Sequence, residues 1–207
     1  MSEENQSENA ILSSLKAVWT LARFDGRGMQ MLDLSAEGFW KSFWAMAVAA
    51  PLAFLPVLIG QGMAEQAGIP STFWPSVISY LIHLPLTAFI MIYFLRYMKL
   101  DANYAPMIIA YNWSTVIIYA ISLPLSLIIV GGTIGQDVGV LVSLLIAGYI
   151  YLYRWFVFRE SLRISGWLAV GVLLFQQLAM LLVDMLLLRL ITPEYFEKLT
   201  QTAALSG

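Results

Sequence analysis

The chain contains no cysteine and a single histidine, His83, among its 207 residues. The missing cysteines exclude disulfide bonds, thiolate metal sites and cysteine nucleophiles. One histidine excludes a metal centre built from several histidines of one chain. The sequence also has no GxSxG nucleophile turn, no HExxH zinc motif and no phosphate-binding glycine loop. We therefore predict that the protein is not an enzyme and that it holds neither a metal nor another cofactor.

Charged residues are also scarce. Asp, Glu, Lys and Arg make up 12% of the chain, whereas a soluble domain has about 25%. Hydrophobic residues account for 60% of the sequence, and the mean hydropathy is +0.77. The net charge of −2 provides no basic surface for nucleic acid, so we expect no nucleic-acid partner. These values indicate an integral membrane protein.

Five apolar segments are long enough to cross a bilayer, which takes about 20 residues for roughly 30 Å of hydrocarbon. The sequence therefore predicts an all-α fold, a polytopic transmembrane helical bundle with five spans. A tail with an amphipathic helix (1–38) precedes the transmembrane domain (39–190), and a short external segment (191–207) follows it. The predicted spans are 39–59, 74–95, 106–130, 138–158 and 167–190.

The distribution of basic residues predicts the orientation. The loops 60–73 and 131–137 contain no Lys or Arg, and nine of the eleven basic residues lie in or beside the segments on the other side. The positive-inside rule then places the N-terminus in the cytoplasm and the C-terminus outside, and we predict a location in the bacterial inner membrane. Lys41 and Arg154 fall near span ends, where long basic side chains can reach the interface.

Residues 9–24 form an amphipathic pattern ahead of the first span. Such a helix most simply lies in the membrane interface, with its apolar side among acyl chains. A role in curvature sensing or partner docking is one interpretation. We favour the other, a packing element that steadies the bundle. The apolar stripe consists of Ile11, Leu15, Val18 and Ala22, widened by Leu12 and Trp19.

Four polar residues at membrane depth are the candidate site residues, because ionisable groups there are costly and often functional. His83 lies near the middle of the second span, and Asp184 lies in the outer third of the fifth. Their depths differ by roughly 5 Å, so a contact between them is possible. Gln177 shares a helix face with Asp184, and Asn112 lies in the inner half of the third span. A proton or ion relay through these four residues is one hypothesis. We favour interhelical hydrogen bonds of about 0.6–2 kcal/mol each.

Two stretches carry a family resemblance. One is Ala110-Tyr111-Asn112-Trp113-Ser114 in the third span. The other begins with Ala147-Gly148-Tyr149-Ile150-Tyr151-Leu152-Tyr153 and runs through the basic loop to Ser165-Gly166-Trp167-Leu168-Ala169. Both resemble segments of the Yip1-domain membrane proteins, in particular small bacterial members. The resemblance implies five spans, a cytoplasmic N-terminus and a role sometimes described as transport- or trafficking-related. It carries over no catalytic or binding residue. Residues 1–38 are too short to match the N-terminal region with which eukaryotic members engage small GTPases.

The sequence as a whole predicts a non-enzymatic protein that acts in membrane organisation or trafficking, or as a subunit of a membrane assembly. Its expected partners are membrane lipids and a protein partner or further copies of the chain. The alternative is a small oligomeric transporter or channel that uses His83, Asn112 and Asp184.

Overall fold

The computed structural model describes residues 3–66 and 73–191, and no β-strand occurs among them. The N-terminal helix α1 (Glu3–Ala22) is followed by two short helices, α2 (Gly28–Met31) and α3 (Ala36–Lys41). Five long helices then make up the bundle. They are α4 (Ala45–Gln66), α5 (Phe73–Tyr97), α6 (Tyr104–Val130), α7 (Gln136–Leu162) and α8 (Gly166–Ile191). The predicted external segment 192–207 lies outside the described residues.

Five helical segments are long and apolar enough to cross a membrane, as the sequence predicts. They are Ala36–Gln61, Phe73–Tyr97, Asp101–Val130, Asp137–Leu162 and Gly166–Leu187. The first of them is not one regular helix, because a 3-10 turn at Ser42–Trp44 joins α3 to α4. The protein is therefore a multi-pass helical membrane protein.

Helix α6 lies at the centre of the bundle. It packs against α4, α5 and α7 and also against the N-terminal helix α1. The ends of these helices that lie beside α1 and the basic loops form what we call the basic half, and the remaining half is the distal half. Every side chain of α6 from Met107 to Ser114 is buried, and all of these residues belong to the basic half.

The hydrophobic core is confined to the basic half. Its buried side chains end at Ala49 on α4, Leu84 on α5, Ile117 on α6, Tyr153 on α7 and Met180 on α8. Beyond these residues, no described hydrophobic side chain of the five long helices is buried. The basic half has α1 as an additional helix to close it, whereas the described part of the distal half consists of the five spans alone.

Helix α1 uses its apolar stripe to contact the bundle. Val18 and Leu21 are fully buried against α6 and α7, and the Tyr153 hydroxyl donates a hydrogen bond of 2.9 Å to the Val18 carbonyl. Only the edge formed by Leu12 and Trp19 remains more than half exposed. Most of the stripe therefore packs on protein and not among acyl chains as expected, and only this edge is left uncovered.

Candidate functional site

His83 and Asp184 contact each other across α5 and α8. His83 Nε2 lies 3.1 Å from Asp184 Oδ1 and 3.3 Å from Oδ2. Ser79, one helical turn before His83, donates a 3.0 Å hydrogen bond to the same Oδ1 atom. Asp184 therefore binds its partners on α5.

This pair lies at membrane depth and is only partly covered. His83 is ten residues into α5, about 15 Å from its first residue along the axis. The side chains of His83 and Asp184 are 34% and 46% exposed. The pair lies where the hydrophobic core ends, one residue before the buried Leu84. The side chains of His83 and Asp184 are thus partly uncovered at the border of the distal half, because the described helices do not enclose them.

A second polar cluster surrounds Arg154 on α7. Its Nη1 atom donates to the Tyr111 carbonyl at 2.9 Å and to Ser114 Oγ at 2.7 Å. Its Nη2 atom donates to Thr115 Oγ1 at 2.8 Å, and the guanidinium carbon lies 3.9 Å from the centre of the Tyr111 ring. Within the described residues no carboxylate forms an ion pair with Arg154.

The expectation that Arg154 reaches back to the interface is therefore wrong. The residue lies eight positions before the end of α7, about 12 Å into the helix, and its side chain turns to α6. Three acceptors and an aromatic face on α6 replace the water that the interface would offer. A guanidinium suits these acceptors better than a lysine ammonium would, because it is planar and can donate several hydrogen bonds in fixed directions.

Tyr119 on α6 lies at a depth between those of Arg154 and Asp184. Counted from the basic-half ends of their helices, Arg154, Tyr119 and Asp184 lie about 12, 22 and 27 Å along the axis. The ring centre of Tyr119 lies 5.9 Å from that of Tyr80 on α5. We call Asp184, Tyr119 and Arg154 the polar series, because they follow one another in depth from the distal half into the basic half. Sequence reasoning did not relate them, because Arg154 was assigned to the interface.

The remaining two predicted site residues do not join the pair. Asn112 is fully buried in the basic half, where its Nδ2 atom donates to Ser42 Oγ at 2.9 Å. Gln177 faces outward and donates to the Tyr151 hydroxyl at 3.2 Å. The structure thus separates Asn112 and Gln177 from the His83–Asp184 contact.

Sequence reasoning missed Gln176, the neighbour of Gln177. Gln176 is 2% exposed, and its Nε2 atom donates to the Tyr111 hydroxyl at 3.2 Å. Its Oε1 atom, like Asn112 Oδ1, is buried without a hydrogen-bond partner among the described residues. Such an orphaned acceptor costs about 1–3 kcal/mol. Gln176 follows Ala169 and Val172 and precedes Met180 at helical spacing, but a helix that is apolar on all sides does not reveal which face is inside.

Only the His83–Asp184 contact contains groups that can exchange a proton, an imidazole and a carboxylate, because the Arg154 guanidinium stays protonated. Neither cluster provides a metal site among the described residues. No group of three or more His, Asp or Glu side chains able to hold a metal occurs in the described parts of the chain. His83 and Asp184 alone supply two ligands, whereas a zinc site uses at least three from protein.

Comparison of the chain with protein-family models, with curated proteins and with solved structures finds no match. The fold and the site therefore define only a class of protein, a multi-pass helical membrane protein with a histidine–aspartate contact at membrane depth.

Proposed function

We propose that the protein is a non-enzymatic subunit or organiser of a membrane assembly, acting through helix–helix and lipid contacts. The observation that carries the proposal is that, among the described residues, the buried hydrophobic side chains lie in the basic half. A bundle that closes only one half of its length leaves the other half available to helices from a partner. The Yip1-like segments of α6 and α7 agree with such a role.

The contact between His83 and Asp184 makes the same point energetically, because it places ionisable side chains at membrane depth. A charged side chain at the centre of a bilayer costs about 2.5–3.5 kcal/mol even on the most favourable scale. His83 and Asp184 retain 34% and 46% exposure in the isolated chain, so hydrocarbon would surround a large part of the pair. Helices of a partner, or further copies of this chain, would bury the pair and reduce that cost.

The proposed setting follows from charge. The basic half carries Arg96, Lys99, Arg159 and Arg163 in its loops and helix ends, and basic segments are retained in the cytoplasm. We propose that this half faces the cytoplasm of a bacterial inner membrane, with the distal half and the C-terminus toward the outside.

Photo-crosslinking in native membranes tests the assembly proposal. A benzophenone amino acid replaces Leu182, which is 59% exposed in the distal half beside Asp184. The matched control is Leu174 on the same helix, which is 63% exposed but lies in the basic half. We expect one defined protein adduct at Leu182 and only lipid adducts at Leu174. Lipid adducts alone at both positions would contradict the proposal.

The polar series from Asp184 through Tyr119 to Arg154 favours a second candidate, a small transporter or channel. In that case water, and not a partner helix, would occupy the distal half. The chain lacks cysteine, so a single Ser79→Cys variant reports water access directly. A charged thiol reagent added from outside should label it if the distal half is aqueous.

Flux through liposomes separates the two candidates further. Asp184→Asn and His83→Ala should abolish proton or ion flux if the pair carries it. Gln177→Ala provides the matched control, because Gln177 is polar, lies on the same helix as Asp184 and binds outside the series. Absence of flux in the unchanged protein, together with an unlabelled Ser79→Cys variant, would eliminate the transporter.

A further inference from the structure

A partly enclosed cavity of about 290 Å³ lies in the basic half, apart from both polar clusters. It is lined by Ile11 of α1, by Met31 at the end of α2 and by Asp33 in the turn before α3. Lys41 and Trp44, at the start of the first span, and the buried Trp113 of α6 also line it.

The body of this cavity is apolar. Trp113 is 3% exposed, and the neighbouring side chains of Ile11, Met31 and Trp44 are hydrophobic. Ser14 also lines the cavity, but its hydroxyl is already bound to the Ala10 carbonyl at 3.0 Å. The interior therefore favours hydrocarbon over a polar ligand.

The mouth of the cavity carries both signs of charge. Lys41 and Asp33 both line the cavity and are exposed, and the Lys41 ammonium lies 2.6 Å from Glu37 Oε1. An ammonium has three donors, so the Glu37 contact leaves two for a ligand. Hydrogen bonds from Ser35 hold the pKa of Asp33 below its ordinary value, so this carboxylate is ionised at neutral pH.

The mouth lies at the level where lipid headgroups are expected. Lys41 is in the first turns of the span Ala36–Gln61. Trp40 and Trp44 beside it are 72% and 64% exposed, as tryptophans are at membrane–water interfaces. A ligand with a polar end at the mouth and an apolar end inside would therefore be a membrane lipid.

We propose that this cavity binds a phospholipid with an ethanolamine headgroup, whose phosphate contacts Lys41 and whose ammonium contacts Asp33. An anionic headgroup without an amine would meet the carboxylates of Asp33 and Glu37 unfavourably. A choline headgroup has no N–H to donate to Asp33. The volume is at the lower limit of small-molecule pockets, about 300–1,000 Å³, so it holds the upper part of one acyl chain and not the whole lipid.

Native mass spectrometry of the full-length protein, titrated with defined phospholipids, tests this inference. The probes are palmitoyl-oleoyl phosphatidylethanolamine, phosphatidylcholine and phosphatidylglycerol. We expect the ethanolamine lipid to bind about five- to tenfold more tightly than the other two, which corresponds to the net contribution of one hydrogen bond at a solvent-accessible site. Equal affinity for all three lipids, or a preference for phosphatidylglycerol, would overturn the assignment.

Variants locate the site. Lys41→Gln and Asp33→Asn should each weaken binding of the ethanolamine lipid about five- to tenfold, whereas Lys16→Gln, on the exposed side of α1, should not. Ile11→Trp fills the cavity and should abolish the tight binding. Leu12→Trp, the same change one residue on at an exposed position, should preserve it. Unchanged binding in Lys41→Gln or in correctly folded Ile11→Trp would refute the site, and circular dichroism establishes folding.

Discussion

Replacing Arg154 by methionine tests whether its guanidinium holds α7 to α6. Methionine keeps an unbranched apolar side chain of similar length but loses three hydrogen bonds and the contact with the Tyr111 ring. The acceptors are not orphaned by the change. The Ser114 and Thr115 hydroxyls both donate to the Tyr111 carbonyl, at 2.8 and 3.1 Å.

The expected loss can be worked from these contacts. Interhelical hydrogen bonds in membranes average about 0.6 kcal/mol each, and a partly desolvated cation–π contact is worth about 1–2 kcal/mol. Arg154→Met should therefore lower the free energy of unfolding by about 3 kcal/mol. The gain from removing a charge from the bilayer does not offset this loss, because it applies equally to the separated, inserted helices.

Unfolding by sodium dodecyl sulfate in mixed micelles measures the effect, and a double-mutant cycle assigns it. Arg154→Met combined with Ser114→Ala should show a coupling of about 0.5–1.5 kcal/mol. Thr87→Ala serves as the control, because Thr87 binds Met180 between α5 and α8 and should not couple to Arg154. A coupling with Ser114 below about 0.3 kcal/mol would refute the inference that Arg154 holds α7 to α6. It would instead favour a position of the Arg154 side chain at the interface.

Two further predictions concern the segment between α1 and the first span. Gly28→Ala places a Cβ atom 2.4 Å from the Ala17 carbonyl oxygen, so it should cost about 1–3 kcal/mol and expose α1 to protease. Gly171→Ala, with nothing within 4 Å, should be neutral in the same assay. Because hydrogen bonds from Ser35 lower the pKa of Asp33, their contribution to stability is present above the unfolded pKa of about 3.9. It is lost as the pH falls through the lower folded value. The Ser35 amide donates to Asp33 Oδ1, so its protection factor against hydrogen exchange, which corrects for the intrinsic pH dependence of the exchange rate, should fall at acid pH. Asp33→Asn should remove this fall. An Asp33 pKa of 4 or above by NMR would contradict it.

The spans were predictable because a bilayer imposes a length and a polarity that any sequence must show. All five predicted segments correspond to helices long and apolar enough to cross a membrane. Local features within the first span were not predictable. The hydrophobic pattern predicts one continuous helix, but a 3-10 turn at Ser42–Trp44 interrupts it. At this turn Ser42 is fully buried and accepts a hydrogen bond from Asn112.

The candidate site was predictable only in part. The depths of His83 and Asp184 allowed their contact, because the rise per residue of a helix is fixed. The sequence predicted neither the contacts of Arg154 with α6 nor the burial of Gln176 in place of Gln177. In a helix surrounded by apolar residues, hydrophobicity carries no information about which face meets another helix.

The sequence by itself determined the membrane class, the number of spans and the depth of each polar residue, because these depend on composition and on position along a helix. Only the tertiary structure decided how each helix is rotated about its own axis, and this rotation determines which partners its polar groups contact. It turned Arg154 into the bundle, buried the stripe of α1 against α6 and α7, and confined the core to the basic half. These features depend on packing between segments that are far apart in the sequence, and such packing cannot be read from any local pattern of residues.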